Sequence, residues 1–275
     1  MKNTIHEGFK PEGSPDLKYY AFDWDDNIVH MPTKIILLND KGDEVPMGTE
    51  DFAEYRNKIG KEPFKYGGDV IVSLAPNAFR NFRVEGDSQF LIDSMKAKVG
   101  PAWNDFVEAI NNGSIFSIIT ARGHNPRTIK EAIYNYIVTN FNGIDKDTLL
   151  KNLRKYRSFV GEEEMTDEEL IKTYLELNKY HPVSFGDTGT ALNPEESKVM
   201  AMKDFVNYIK AMAAILNKKA YLKMDIGNKF IPSETSIGFS DDDIRNIEVM
   251  KKAFKDKPDD IKTYLTAGGI KKEVK

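Results

Sequence analysis

The sequence predicts an α/β protein in which helices cover both faces of a parallel β-sheet. From about Trp103 onwards, short apolar segments rich in β-branched residues alternate with longer amphipathic segments, a pattern typical of parallel sheets with helical connections. Hydrophobic residues make up 40% of the 275-residue chain, which is enough for a sizeable core. Polar side chains follow several of the apolar segments, as expected where the strands of such a sheet end at a ligand crevice.

The composition excludes several kinds of site and partner. The chain has no cysteine, so disulfides and thiolate metal sites are excluded. Its formal net charge of −4 gives no reason to expect broad nucleic-acid binding, which needs a basic surplus. The first residues carry no apolar signal core, and no stretch is long enough to span a bilayer. We therefore expect a cytoplasmic protein with no membrane partner.

The first third of the chain is predicted to combine an arm, a buried strand and an insertion. The beginning is polar and contains Gly and Pro, whereas Tyr19–Phe22 is a short apolar run suited to a buried strand. Two apolar runs then flank the turn DKGD, which indicates a β-hairpin, and a short helix follows from Thr49 to Ile59. The predicted units are an arm at 1–18, a core formed by 19–30 and 101–275, and a hairpin flap with a small cap at 31–100.

The rest of the core is predicted from periodicity and capping signals. Asn125 before Pro126, the pair Thr166 and Glu169, and Asn193 before Pro194 each mark the start of a helix. The predicted elements are a helix at 103–113, a strand at 114–120, a helix at 125–141, a charged helical section to about Tyr180, a strand at 181–185, a helix from 193 to about Leu216, a strand at 236–240 and a helix at 244–254.

The first candidate motif is AFDWDDN, which follows the first buried strand. Asp23 and Asp25, two positions apart, can both face the crevice from a tight turn. A carboxylate is a hard oxygen ligand for Mg²⁺ and can attack phosphorus, and a second carboxyl can act as general acid and base. Because D-x-D also occurs by chance, an acidic loop cap is the competing interpretation.

Three further polar positions are expected at the same edge. Thr120 ends a buried strand, where its hydroxyl can hold a phosphate oxygen, although β-branched residues commonly end strands. Lys198 lies near a helix start, where the helix dipole also favours an anion; Lys203 is its rival. After the strand SIGFS come three aspartates, Asp241 to Asp243, which are more than a helix cap requires.

In this order, the motifs resemble those of the haloacid dehalogenase (HAD) superfamily. The resemblance covers roughly Lys18–Val29 and Trp103 to about Phe254, and it implies a Rossmann-like core with Mg²⁺-dependent phosphatase activity. The hairpin after the first motif looks like the family's flap, and the residues up to about Gly100 fall where many members insert a cap. The resemblance implies that Asp23 is the nucleophile and a metal ligand. Asp25 would be the general acid/base, and its backbone carbonyl would also reach the metal. Thr120 and Lys198 would bind the phosphoryl group, and Asp241 and Asp242 would complete the magnesium site.

Two positions depart from the family pattern, and one rival motif exists. Asn27 stands where the family often has Thr or Val, and Trp24 is bulky enough to restrict a substrate or stack on it. Asp187, in PVSFGDTGT, is the rival to Asp241, but it precedes the lysine-bearing helix and has no second acid beside it.

The expected function is hydrolysis of a phosphorylated small molecule through an aspartyl-phosphate. One alternative is a polynucleotide end-phosphatase, because FSDDDIRN also looks like acidic signatures of that group. The charged and aromatic side chains that would bind a strand in that case are Lys65, Phe79, Arg80, Phe82 and Arg83, although an ordinary amphipathic segment is the preferred interpretation. Another alternative is a binding module that keeps the fold without turnover. The sequence leaves the natural substrate and the oligomeric state open.

Overall fold

The structure is a computed structural model that describes residues 7–13, 16, 18–160, 165–186, 193–224, 230–234, 236–255 and 261–274. Its strands are β1 (Glu7–Pro11), β2 (Lys18–Phe22), β3 (Val29–His30), β4 (Ile35–Asn39), β5 (Glu44–Met47), β6 (Phe64–Tyr66), β7 (Asp69–Leu74), β8 (Lys98–Val99), β9 (Phe116–Thr120), β10 (Lys179–Pro182), β11 (Phe230–Glu234), β12 (Ser236–Asp241), β13 (Lys262–Leu265) and β14 (Lys272–Glu273). Its α-helices are α1 (Thr49–Tyr55), α2 (Asp87–Ser94), α3 (Trp103–Asn111), α4 (Pro126–Val138), α5 (Lys146–Val160), α6 (Asp167–Leu177), α7 (Pro194–Met224) and α8 (Ile244–Ala253).

The largest sheet in the described part of the chain has six strands, in the order β10-β9-β2-β12-β13-β14. The first five are mutually parallel, and β14 pairs antiparallel with β13 at the edge. The predicted α/β class with a mostly parallel sheet is therefore confirmed. Strand β2 lies in the middle, with β9 on one side and β12 on the other, so three strand ends meet at one edge.

Two separate hydrophobic clusters pack against this sheet. Phe22 and Ile118 belong to a cluster with buried residues of α3, α4, α5 and α6. Ala21 and Ile119, their neighbours along β2 and β9, belong instead to a cluster with residues of α7 and α8. Because successive side chains of a strand point to opposite faces, these memberships show that both faces of the sheet are covered by helices.

Residues 31–100 build a second, antiparallel sheet in the order β5-β4-β7-β6. The predicted hairpin is present: β4 and β5 pair from Ile35 with Met47 to Leu38 with Glu44. Its turn is closed by Asn39, whose Oδ1 accepts hydrogen bonds from the backbone N–H groups of Lys41 and Asp43 at 3.0 and 2.8 Å. The predicted helix after the hairpin is shorter than expected and ends at Tyr55.

Further elements differ from the sequence-based expectation. Strand β10 begins and ends earlier than the predicted 181–185, since the residues after Pro182 form a turn. Helix α7 continues past Leu216 to Met224. Within the predicted N-terminal arm, β1 pairs antiparallel with β11. None of the described helices combines the length and apolarity that crossing a membrane requires.

Candidate active site

The site lies where β2, β9 and β12 end. Asp23 directly follows β2, Thr120 is the last residue of β9, and Asp241 is the last residue of β12. The backbone N–H of Asp23 donates to the carbonyl of Ser240 at 3.0 Å, which fixes the loop after β2 against β12. The carboxyl ends of neighbouring parallel strands thus bring these polar side chains together, as the sequence predicts.

Lys198 connects the two acidic motifs. It lies near the start of α7, and its Nζ donates to Asp23 Oδ1 at 2.9 Å and to Asp241 Oδ2 at 2.7 Å. The other oxygen of Asp241 accepts from Asn246 Nδ2 and from the backbone N–H of Asp243, both at 2.9 Å. The three ionic side chains are all buried, so each must be compensated by its neighbours.

The charges of this cluster are not balanced by Lys198 alone. Burial raises the pKa of Asp23 to about 8, and the carboxylates of Asp241 and Asp25 add to this effect while Lys198 opposes it. Burial also raises the pKa of Asp242 to about 9, with Asp241 and Asp23 as further causes. Burial disfavours charge on Lys198, but Asp23 and Asp241 hold its pKa above the ordinary value. Three carboxyl groups therefore lie close together with only one ammonium group beside them, which leaves an excess of negative charge when all three are ionised.

Asp23, Asp241 and Asp242 form a group that could hold a metal ion. One carboxylate oxygen of each lies within 4.8 Å of the others. The donors are all hard oxygens, which suit Mg²⁺, and Mg²⁺ commonly uses a few carboxylates and completes its shell with water. The chemistry of the donor set and the excess negative charge both fit such an ion. The carboxylate of Asp25 is not part of this group; the expected contribution of its backbone carbonyl stays a prediction.

Asp25 is instead bound by Arg122, a residue that sequence reasoning missed. Arg122 is 1% exposed, and its Nε and Nη2 donate to the two oxygens of Asp25 at 2.7 and 2.6 Å. The guanidinium group also lies over the rings of Phe82 and Phe90, at 4.6 and 5.1 Å from their centroids. The available signal was a charged residue two positions after Thr120, directly behind a buried strand.

Asn27 and Trp24, the two residues that depart from the HAD pattern, are both buried and pack within the protein. Asn27 is fully buried: its Nδ2 donates to the carbonyl of Asp23 at 3.0 Å and to Ser240 Oγ at 3.0 Å, while its Oδ1 accepts from Thr266 Oγ1 at 2.8 Å. It thereby ties the loop after β2 to β12 and to the residue after β13. Trp24 is 0% exposed, so the expectation that it stacks on a substrate is wrong; it packs inside the core.

The other sequence candidates can be placed as follows. Thr120 is buried and borders the cavity described below. Lys203 is exposed on α7, whereas Lys198 is buried. Asp243 caps α8, since its Oδ1 accepts from the backbone N–H of Arg245 at 3.0 Å. Asp187 lies outside the described residues.

A cavity of about 350 Å³ opens between the sheet edge and the 31–100 segment. Its wall on the core side includes Asp23, Asp25, Thr120, Arg122 and Lys198. Its wall on the side of the 31–100 segment includes Ile35, Phe52, Arg56, Phe79, Phe82 and Arg83. The acidic and basic groups therefore face an open cavity of the size of a small ligand.

Comparisons of the chain with protein-family models, with curated proteins and with solved structures found no match. The function must therefore be argued from the site itself.

Proposed function

We propose that the protein is a HAD-like phosphatase that hydrolyses a phosphomonoester with Asp23 as its nucleophile. One observation carries the proposal: Asp23, at the edge of a cavity, shares a buried lysine with Asp241 and lies within a carboxylate cluster that could hold a cation. A carboxylate, an ammonium group and a cation site around one cavity suit the transfer of a highly charged phosphoryl group. An acidic loop without chemistry would not need Lys198 buried between its carboxylates.

The reaction needs two steps. First, a carboxylate oxygen of Asp23 attacks phosphorus, a P–O bond to Asp23 forms, the bond to the leaving oxygen breaks, and Asp25 gives its proton to that oxygen. Then a water molecule gives a proton to Asp25 and its oxygen attacks phosphorus, the P–O bond to Asp23 breaks, and inorganic phosphate leaves with Asp23 again a carboxylate and Asp25 again a carboxylic acid. Arg122 stabilises the carboxylate that Asp25 becomes after the first step.

The remaining polar groups bind and orient the phosphoryl group. Lys198 offers a positive charge beside Asp23, and Thr120, which borders the same cavity, would donate from its hydroxyl to a phosphoryl oxygen. Mg²⁺ held by Asp23, Asp241 and Asp242 would neutralise negative charge on the phosphoryl group and on the carboxylates.

The test is turnover of 4-nitrophenyl phosphate with Mg²⁺, by the wild-type protein and by Asp23→Asn. We expect Asp23→Asn to lose roughly a thousandfold or more in kcat, because an amide does not attack phosphorus. Asp204→Asn is the matched control, since Asp204 is exposed on α7, and it should turn over at the wild-type rate. Equal rates for wild type and Asp23→Asn would remove Asp23 as nucleophile, and wild-type inactivity on every phosphoester would favour a binding module.

A further inference from the structure

One cation at the cavity has no carboxylate partner among the described residues. The cationic side chains that line the cavity are Arg56, Arg83, Arg122 and Lys198. Lys198 and Arg122 bind carboxylates as described above, and Arg56 contacts Glu195 at 3.3 Å and Asp243 at 3.9 Å. Arg83 makes no ion pair with the residues that the structure describes, and it donates one hydrogen bond, from Nη1 to the backbone carbonyl of Ser184 at 2.6 Å. Most of its N–H groups are thus available to a ligand.

The position of Arg83 is fixed by the backbone around it. The N–H of Gly123 donates to the carbonyl of Phe82 at 2.8 Å, and Arg83 and Gly123 form an isolated parallel β-bridge. A Cβ atom at position 123 would lie 2.8 Å from Arg83 Nη1, so glycine leaves the room that the guanidinium group occupies. Arg83 therefore lies against the segment that follows Thr120 and Arg122, and it borders the same cavity as Asp23.

The same side of the cavity presents aromatic rings. Phe52, Phe79 and Phe82 all line it, and none of them is fully buried. The ring of Phe79 packs edge-on against Phe52 and Phe82, with centroid distances of 5.6 and 6.3 Å. Such a wall accepts a flat ring by stacking or edge contact. Phe79 and Arg83 also border a neighbouring cavity of about 500 Å³, so space continues past Arg83.

We propose that this side of the cavity binds the leaving group of a nucleotide that carries two phosphate groups, with its base against the phenylalanine wall and its retained phosphate at Arg83. The inference rests on the proposed phosphatase function and names its substrate class. A half-buried guanidinium with free N–H groups binds a phosphate through charge-assisted hydrogen bonds. An uncharged leaving group would leave this cation unpaired.

The experiment compares kcat/KM for adenosine 3′,5′-bisphosphate with that for adenosine 3′-monophosphate and adenosine 5′-monophosphate. We expect the wild-type protein to prefer the bisphosphate by roughly tenfold or more, the usual effect of a hydrogen-bonded charge pair, mainly through a lower KM. In Arg83→Gln the preference should disappear, and in Arg83→Lys part of it should return. The matched control is Arg154→Gln, because Arg154 lies on α5, is exposed and is paired with Asp167; it should keep the preference.

The other outcomes each overturn a defined statement. A wild-type protein without preference for the bisphosphate overturns the proposal, and so does an Arg83→Gln variant that loses the same factor on all three nucleotides and on 4-nitrophenyl phosphate. If the wild-type protein turns over no phosphoester, the phosphatase function fails instead. Calorimetric titration of adenosine 3′,5′-bisphosphate into wild type and Arg83→Gln then tests the subsite by itself, and equal affinities overturn it.

Discussion

The carboxylate of Asp25 is held by one buried arginine whose own position is fixed from several sides. Besides its two bonds to Asp25, Arg122 donates through Nη2 to Thr33 Oγ1 at 3.1 Å, and its Nη1 lies 3.0 Å from His124 Nε2. A guanidinium group can only donate, so His124 Nε2 accepts and its Nδ1 carries the proton that is donated to Asp87 Oδ1, 2.8 Å away. A chain of polar contacts thus runs from the start of α2 to Asp25.

This chain requires a neutral histidine. His124 is 0% exposed, and burial lowers its pKa, with the charge of Arg122 as a second cause and Asp87 opposing both. A protonated ring would turn a second donor towards Arg122 and break the contact. The surroundings of Arg122 therefore favour one orientation of the guanidinium group, and through it one position of Asp25.

We expect Arg122→Lys to lower kcat by roughly ten- to a hundredfold, because a lysine keeps the charge but loses the two parallel bonds to Asp25 and the contacts with Thr33 and His124. KM should change less than kcat, since Asp25 acts on the proton of the reaction and not on binding. Steady-state kinetics with 4-nitrophenyl phosphate measure both constants. Arg80→Lys is the control, because Arg80 makes an equivalent paired contact with Glu44 at the surface. An unchanged kcat in Arg122→Lys would contradict the positioning role.

The site residues differ in how far the sequence reveals them. Asp23, Thr120 and Asp241 could be predicted because each follows or ends an apolar strand, and the edge of a parallel sheet collects such positions. The place of Lys198 at a helix start favours it over Lys203, and the structure brings Lys198 to the carboxylates. Arg122 also stands just behind a strand, but a charged residue there is usually exposed, and only the packing shows that it is buried.

At the scale of elements, the sequence predicts helix caps correctly, but it does not predict the pairing of strands that are distant in sequence. The cap of α4 by Asn125 and the capping box of Thr166 and Glu169 are both present, because these bonds form between residues that are close in sequence. The pairing of β1 with β11 joins segments more than two hundred residues apart, and no local pattern encodes it. A proline such as Pro232 indicates that a segment is not a central strand, because it has no N–H group to donate. It is tolerated in β11 because a strand of a two-stranded sheet has a free edge.

Asp243, at the start of α8, has a structural role that differs from the roles proposed for Asp241 and Asp242. Asp243 accepts a hydrogen bond from the backbone N–H of Arg245 at 3.0 Å and so satisfies one of the free donors of the helix. Asp243→Ala should lower the free energy of unfolding by about 1 kcal/mol, measured by urea denaturation. Asp243→Asn is the control, since an asparagine oxygen caps nearly as well. A loss in Asp243→Asn equal to that in Asp243→Ala would show that charge, and not the cap, matters here.

At the scale of the whole molecule, chain order explains why the site lies at β2. The chain forms β2 first, continues to β9 and β10 on one side, and then places β12 and β13 on the other side. In open parallel sheets the crevice opens where the strand order reverses, beyond the carboxyl ends of the strands. Asp23 and Lys198 are 175 positions apart in sequence, but this topology brings both to the reversal point.

The same arrangement concentrates negative charge, so we expect the stability of the protein to depend on a cation. Asp242 shares the cluster with Asp23 and Asp241, and no lysine bond to it is described. Burial, together with these two carboxylates, raises the pKa of Asp242, so the absence of a cation favours the protonated form of this carboxyl. An asparagine of nearly the same shape would then cost little, whereas it would weaken the binding of a cation.

We therefore expect Mg²⁺ to reverse which of the two proteins, wild type or Asp242→Asn, has the higher thermal stability. In EDTA the variant should be as stable as wild type or more stable, because it removes one acid from a crowded acidic cluster. With free Mg²⁺ at about a hundred times its Kd, the wild-type protein should gain about 2.7 kcal/mol, and the variant should gain clearly less. Thermal unfolding followed by circular dichroism measures the four midpoints, and Asp204→Asn should behave like wild type in both buffers. An equal Mg²⁺ shift in wild type and Asp242→Asn would exclude Asp242 as a ligand, and no shift in either would argue that Lys198 alone balances the cluster.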